Sequence, residues 1–396
     1  MHLSSDNLYF ELLPAIRGIF LQSTSVTVNL TANESSNNIA KTKNAYNKWK
    51  EKRSTLNSIY LDNSLSVSKV LAELNVFESQ LTPEQKKLPS FIFIQNIGLI
   101  NVLPGTANIK EENDDFSIPT VKKPLEQKIV LVTGGAQGFG EGIAIRAFKE
   151  GAHVIIADLN EEVGNKLVNK YNIEREIGNR MMYFYVDVTN EESIKTLMEN
   201  IVDNFGGLDI LISNAGVLRA GGLDELETSE FDFVTDVNYK GFYLCTKYAS
   251  LIMKTQNQFN SSGYSDIIQV NSKSGLQGSQ KNFAYAGSKF GSIGLVQSFA
   301  LELVESRIKV NAVCPGNYFD GPLWSDPNNG LFVQYLKAGK VKGAKNIDEV
   351  KRFYESKVPM KRGVGIDDVM MAIIYAIDQR YETGQAIPVT GGQIMK

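Results

Sequence analysis

Histidine and cysteine are almost missing from this sequence: its 396 residues hold two of each, His2 and His153, Cys245 and Cys314. Two cysteines in a chain of this length exclude a disulfide scaffold, and no CxxC or HxH spacing offers a zinc site, so no metal is expected. Histidine-based acid–base chemistry is nearly excluded too, because His2 is terminal and His153 sits in an apolar run, where a packed strand residue is the plainer reading. Cys245 in an apolar helix and Cys314 after a strand read as buried and inert. An excess of one charge is also lacking. The 41 basic and 44 acidic side chains give a formal charge of −3, so nothing draws the chain to nucleic acid or an anionic membrane. Long apolar runs are absent as well: Phe91–Leu103 and Val369–Ile377 fall short of the roughly 20 residues that span a bilayer. The opening stretch, Met1–Thr24, has no basic start and is broken by Asn7, Glu11 and Arg17, which predicts a cytoplasmic protein. Any catalyst has to be built from other side chains.

Glycine is plentiful but uneven. Residues 1–122 contain only Gly18, Gly98 and Gly105 of the 33 in the chain. The polar, acidic stretch Lys110–Asp115, then Ser117–Pro119 and Lys122–Pro124, reads as a linker. It divides the chain into an N-terminal extension, 1–120, and a domain, 121–396. In the extension, Thr42–Leu56 reads as a polar helix, Ser64–Phe77 as an amphipathic one, and Phe91–Leu103 as one or two strands, a small α+β unit without a motif. The second part carries seven apolar runs: Lys128–Val132, Gly151–Ala157, Met182–Val186, Leu208–Ile212, Asp266–Val270, Ile308–Val313 and Ala386–Val389. Helix-length segments separate them. Continuous Val/Ile runs alternating with helices predict an α/β, doubly wound parallel seven-stranded sheet of the Rossmann kind, covered on both faces.

Between the first strand and first helix lies Thr133-Gly-Gly-Ala-Gln-Gly-Phe-Gly140. A glycine-rich stretch alone can be a plain loop, but here a strand precedes it and a helix follows. Gly134, Gly138 and Gly140 would let backbone N–H groups approach a pyrophosphate at the helix N-terminus, with Gln137 and Phe139 between them. Asp158, followed by Leu159, ends the second strand 18 residues after Gly140. A carboxylate there accepts from both ribose hydroxyls and repels a 2′-phosphate, which favours NAD over NADP; a solvated strand-end acid is the alternative. No basic residue follows Asp158 until Lys166.

The TGxxxGxG spacing resembles that of the short-chain dehydrogenase/reductase family, and further segments match in order over residues 128–393. Val186-Asp-Val-Thr189 resembles the family's adenine-contacting strand end, through Asp187 and Val188. Ser213-Asn-Ala-Gly216 resembles its NNAG motif, offering Asn214, Ala215 and Gly216. Asn238 stands where the family has its helix asparagine, Tyr285-Ala-Gly-Ser-Lys289 is the YxxxK pair, and Pro315-Gly316 follows the sixth strand. The resemblance implies that Lys289 also holds the nicotinamide ribose and that Asn238 supports a proton-relaying water. It also implies a homo-oligomer, dimer or tetramer.

The chemistry stands on the residues too. Tyr285 and Lys289 are four apart, hence on one helical face. A free phenol with a pKa of about 10 is a poor base, and a nearby ammonium is expected to lower it. Tyr285 would then exchange a proton with the substrate hydroxyl, while Ser272, 13 residues before it, orients the developing carbonyl oxygen. Ser274, 11 residues before, competes for that role.

Two segments resemble a narrower group, the sorbitol-6-phosphate 2-dehydrogenases. They are Ile267–Gly275 with Tyr285–Gly294, and Lys357–Gly363 with Val389–Gln393; Asn271-Ser-Lys-Ser-Gly275 is the most specific part. The resemblance implies that D-sorbitol 6-phosphate and NAD give fructose 6-phosphate and NADH. A phosphosugar needs cations near the alcohol. Lys273 is the first candidate, with Lys281, Arg219, Lys361 and Arg362 behind it, and Asn317 is a further substrate contact. Segment Asn317–Lys357 is placed as a substrate lid. Asp320 replaces the family's usual threonine after Pro-Gly. The patch Leu88–Gly98 resembles the end of a class II aldolase module; with only His2 to stand for that module's zinc ligands, it implies a catalytically empty remnant with a packing or oligomerisation role. Two rivals stay open: another polyol, aldehyde or ketoacyl substrate, and a dinucleotide-sensing protein without turnover.

Overall fold

The computed structural model describes residues 7–21, 26–31, 39–53, 56–62, 66–95, 97–104, 123–173, 178–260, 263–328, 330–337 and 339–395. The linker expected around residue 120, and His2, lie outside the described residues.

Seven strands form one parallel sheet: β5 (Ile129–Thr133), β6 (His153–Asp158), β7 (Met181–Tyr185), β8 (Ile210–Ser213), β9 (Ser265–Val270), β10 (Ile308–Pro315) and β11 (Ala386–Val389). Their order is β11-β10-β9-β8-β5-β6-β7, every pairing parallel. The chain winds outward from β5 to β7, then crosses back to β8 and winds the other way. The reversal between β5 and β8 leaves a crevice at the C-terminal ends of those strands, where such sheets bind ligands. Each strand is apolar throughout because both faces are covered. In β5, Ile129 and Leu131 join one core while Val130 and Val132 join the other.

Ahead of this sheet stands a second, four-stranded one, with order β1 (Val26–Thr31), β4 (Gly98–Pro104), β3 (Ser90–Ile94), β2 (Asn57–Leu61). The β3–β4 pair is an antiparallel hairpin, which makes two strands of the single apolar stretch Phe91–Leu103. The expected helices are α2 (Lys43–Glu51) and α3 (Val67–Ser79). One face of the unit closes on its own cluster of Tyr46, Trp49 and Phe93, and the other does not close by itself. Helix α1 (Leu13–Leu21) buries Leu13, Ile16 and Ile19 in the same apolar cluster as Phe205, Ile252 and Met253 of the large domain. Close approach requires Gly18, since a Cβ there would run into the Gln256 backbone. Beside it Arg17, 1% exposed, grips Asp209 at the foot of β8 through Nη1 to Oδ1 at 2.9 Å and Nη2 to Oδ2 at 2.8 Å. Arg17 also donates to the Val26 carbonyl and to Gln256 Oε1, and Asp209 Oδ2 accepts from Ile129 N–H at 2.8 Å. In the sequence Arg17 interrupts an apolar stretch; in the fold it is an ion-paired plug.

Candidate active site

The helices that matter for the crevice are α4 (Gly138–Lys149), α5 (Glu161–Ile173), α6 (Glu191–Phe205), α7 (Thr228–Thr235), α8 (Gly241–Phe259) and α9 (Phe283–Leu303). The glycine-rich turn caps α4, with Gln137 as the N-cap residue. Gly134 has φ +62°, a conformation strained for any side chain, and a Cβ at Gly140 would collide with the Gly134 carbonyl. The end of β8 pins the turn. Asn214 Nδ2 donates to the carbonyls of Thr133 and Gly134 at 3.1 and 3.0 Å, while Asn214 and Ala215 N–H both donate to Thr133 Oγ1. From β6, the Asp158 carboxylate reaches the same turn, accepting from Ala136 N–H and Asn160 N–H, each at 3.0 Å. Leu159 beside it is 60% exposed. Asp187 and Val188 follow β7; Asp187 Oδ1 accepts from the N–H and hydroxyl of Thr189, and Val188 is buried against Gly241. A positive helix terminus, a turn with glycine at 134, 135, 138 and 140 and a carboxylate beside it fit a dinucleotide.

Across the crevice, Ser272 leaves the end of β9, and Tyr285 and Lys289 lie one turn apart near the start of α9. The Ser272 hydroxyl lies close enough to the phenol of half-buried Tyr285 to favour its ionised form. Ser274 does something else: its N–H donates to Ser272 Oγ at 3.1 Å and so fixes that hydroxyl. Lys289 is 4% exposed, its Nζ donating to the Val270 carbonyl at 3.0 Å and lying 5.7 Å from the centre of the Tyr285 ring. Burial holds this ammonium down to about 8. Burial also raises the phenol of Tyr285, a rise that the Ser272 hydroxyl opposes and Cys314 reinforces. The expected depression of the tyrosine by Lys289 is therefore not what this site shows. Desolvation is the largest influence on the phenol, and Lys289 spends its charge on the Val270 carbonyl.

Asn238 sits in a π-helical turn, Asp236–Lys240, joining α7 to α8. Its Oδ1 accepts from Val217 N–H at 2.8 Å, and its Nδ2 donates to the Val217 carbonyl and to Ser288 Oγ. It thus ties the segment after Gly216 to α9. Ser288 had no signal in the sequence beyond its place inside YxxxK. Gly216 lies against both Asn238 and Lys289. Pro315 ends β10, Gly316 N–H donates to the Val389 carbonyl, and the Asn317 carbonyl accepts from Val364 N–H. The segment beyond folds around its own aromatic cluster, Phe319, Trp324 and Phe332, with α10 (Leu331–Lys337) and α11 (Ile347–Ser356). Phe139 of the glycine-rich turn stacks on Tyr318 at 4.6 Å, linking cofactor crevice and segment. Asp320 is ion-paired to Lys351 at 2.6 Å.

The candidate cations separate cleanly. Lys281 pairs with Glu225, Arg219 lies 3.9 Å from Glu230, Arg362 makes two bonds to Asp368, and Lys361 donates to the Ser356 carbonyl. Lys273 is half-buried beside Ser272, and its Nζ meets Gln393 Oε1 at 3.4 Å. His153 and Cys245 are buried away from this chemistry, whereas Cys314, also buried, lies close enough to Tyr285 and Lys289 to act on both.

The family model of short chain dehydrogenases matches residues 128–325, half of the chain. Sorbitol-6-phosphate 2-dehydrogenase of Escherichia coli (strain K12) is 34% identical over 271 residues, covering 68% of this chain and 99% of that protein. Among solved structures, sorbitol-6-phosphate 2-dehydrogenase SrlD from Erwinia amylovora superimposes with a TM-score of 0.61 at 35% identity, covering 68% of this chain and 100% of its own. A variant actinorhodin polyketide ketoreductase, solved with NADPH, gives a TM-score of 0.57 at 27% identity over 69% of this chain and 99% of its own.

Proposed function

This chain belongs to the short-chain dehydrogenase family, and from that premise we propose that it exchanges a hydride between NAD(H) and a sugar-alcohol phosphate, D-sorbitol 6-phosphate and fructose 6-phosphate being the leading pair. The observation that carries the reading is the meeting of Ser272, at the end of β9, with Tyr285 and buried Lys289, whose Nζ lies 5.7 Å from the centre of the Tyr285 ring. Gly134, Gly138 and Gly140 with Gln137 and Phe139 would hold the pyrophosphate side, Asp187 and Val188 the adenine side, and Asn214, Ala215, Gly216, Pro315 and Gly316 the approach to the reacting end. When bound, the nicotinamide takes up or delivers the hydride, and in its oxidised form adds positive charge beside Tyr285. Tyr285, a protonated phenol at neutral pH, donates its proton to the ketone oxygen in reduction; in oxidation the phenolate form, beside the Lys289 ammonium, accepts the alcohol proton. Ser272, fixed by Ser274 N–H, hydrogen-bonds that oxygen. Lys289 keeps the phenol's surroundings cationic, and Asn238 holds the Gly216–Val217 segment against it.

NAD rather than NADP is supported by Asp158 and by the lack of a free cation close behind it: Lys166, the first basic residue onward, is already paired with Glu162 at 2.6 Å. A dimer or tetramer belongs to the same reading, since α9 exposes Phe290 (45%) and Leu301 (81%). One observation favours a second reading, an unphosphorylated polyol: four of the five candidate cations are occupied by carboxylates or a carbonyl. The deciding experiment follows NADH consumption with fructose 6-phosphate and with fructose. A kcat/KM at least tenfold higher for the phosphate is expected; equal values would replace the phosphosugar by the neutral polyol. NADH binding without turnover of any carbonyl would make the protein a dinucleotide sensor.

A further inference from the structure

A cavity of about 330 Å³ opens between the loop after β10, the segment leading into α12 (Ile366–Asp378) and the C-terminal tail. Gly316, Asn317, Arg362, Asp368 and Gln393 are among its walls. Gln393 connects the cavity to the reacting groups, because its Oε1 accepts from Lys273 Nζ at 3.4 Å and Lys273 follows Ser272 directly. The same amide oxygen packs 3.0 Å from where a Cβ on Gly316 would stand, so a side chain there would press on it. Arg362 brings no free charge to this space, being doubly bonded to Asp368 at 2.5 and 2.8 Å. Lys273 differs. Burial lowers its pKa, and no carboxylate among the described residues offsets that cost. Its visible partner is a neutral amide that engages one of three N–H donors. A half-buried ammonium so placed is stabilised by an incoming anion, and a phosphate monoester offers three acceptor oxygens for charge-assisted bonds.

We propose that Lys273 seats the phosphate end of the substrate, and that Gln393 of the C-terminal tail is the positioning residue that aims it and so sets preference for phosphorylated over neutral ketoses. The inference rests on the dehydrogenase reading and deepens it. It makes the tail part of substrate selection: Gln393 orients Lys273 without touching the reacting atoms.

The test measures KM and kcat for fructose 6-phosphate and fructose in the full chain and in Lys273→Met, Lys273→Arg, Gln393→Glu and Gln393→Leu. In parallel, inorganic phosphate binding is measured by dialysis on the NADH-saturated proteins, with NADH affinity from fluorescence titration as the check on folding. Removing a charge-assisted contact is expected to raise KM for fructose 6-phosphate about 10- to 100-fold in Lys273→Met. The loss should fall on KM rather than kcat, with fructose nearly unaffected and partial rescue in Lys273→Arg. Gln393→Glu should give a similar loss, since its carboxylate occupies the ammonium, and Gln393→Leu a smaller one. Phosphate binding should weaken in the same order. If fructose 6-phosphate is reduced but its KM is unmoved in Lys273→Met, the inference fails while the dehydrogenase reading stands. A KM rise shared equally by both ketoses also overturns it, marking a structural role. If neither ketose is reduced, the phosphosugar reading fails, and the dialysis decides alone: phosphate binding lost in Lys273→Met and Gln393→Glu supports the subsite, while binding absent or unchanged refutes it.

Discussion

At the N-terminal edge of the seven-stranded sheet, Asp209 meets Arg17, Asp266 meets Lys309 at 3.1 Å, and His153 meets Gln127 at 3.1 Å, all of them buried. At the C-terminal edge of the same sheet, Lys289 and Lys273 are also drawn out of water but, among the described residues, hydrogen-bond only to a carbonyl and an amide. At the N-terminal edge Arg17 and Lys309 are thus matched by carboxylates, while Arg180 and Arg307 bond to backbone carbonyls away from the crevice; at the C-terminal edge the two lysines beside the crevice are short of a negative partner. The difference separates structural charge from working charge. A buried ion pair answers its own field and has nothing left for a ligand, whereas a cation beside neutral acceptors keeps its field for whatever enters.

The largest effect that would sharpen this contrast lies at the C-terminal edge. Tyr285→Phe should lower kcat on the order of a hundred- to ten-thousandfold, as loss of a general acid does. Thermal stability should not fall, because among the described residues the phenol oxygen makes no hydrogen bond that holds the fold together. Retained turnover would remove Tyr285 from the mechanism.

At the N-terminal edge the reverse pattern is expected, with stability lost and catalysis kept. Arg17→Met leaves Asp209 buried without its counter-charge, a change that costs about 3–5 kcal/mol. Urea unfolding should show that loss while KM for NADH in the folded protein stays unchanged. Pairing Arg17→Met with Asp209→Leu should recover part of it. A loss below about 1 kcal/mol would mean that the extension is a loosely docked appendage, and the comparison of the two edges would break.

The two edges are not equally legible in the sequence. The C-terminal edge is written in contiguous motifs, since turns, strand ends and one helical face place their residues within a few positions of each other; hence the seven strands, the glycine-rich turn and the Ser272, Tyr285 and Lys289 set can be read directly. Arg17 and Asp209 are 192 residues apart, and Lys273 and Gln393 120 apart. No local pattern announces such pairs. In its own neighbourhood Arg17 is merely a charge in an apolar stretch, and only the packing of α1 on α8 turns it inward. The protonation state of Tyr285 escapes the sequence for a related reason: spacing shows that a lysine is near, whereas depth of burial, which decides the direction of the shift, belongs to the tertiary structure.

His153 offers a smaller test of the N-terminal edge. Burial first, then Arg180 and Arg17, holds its imidazole down to about 4, against an ordinary value of 6.5. Below pH 6.5 the unfolded chain takes up a proton that the folded chain refuses, so stability falls with pH until about 4, by about 3 kcal/mol in all. Asp266, raised to about 6 by burial, works in the opposite sense over much of the same range. The clean measurement is therefore a difference. His153→Leu should gain about 3 kcal/mol on the parent chain between pH 7 and pH 4. Parallel stability curves would show that His153 is not held neutral by its surroundings.

The smallest expected effect is the most discriminating at the C-terminal edge. Lys281 is a lysine near the site by sequence, yet its Nζ rests on Glu225 at 3.1 Å with 63% of its side chain exposed. An exposed pair of this kind contributes little to stability, and its carboxylate already answers its charge. Lys281→Ala should therefore leave both the melting temperature and KM for fructose 6-phosphate indistinguishable from those of the parent chain. A tenfold rise in KM would show that Glu225 yields Lys281 to the substrate. In that event, an ion-paired cation can be working charge after all, and the rule drawn from the two edges of the sheet would fail where it matters most.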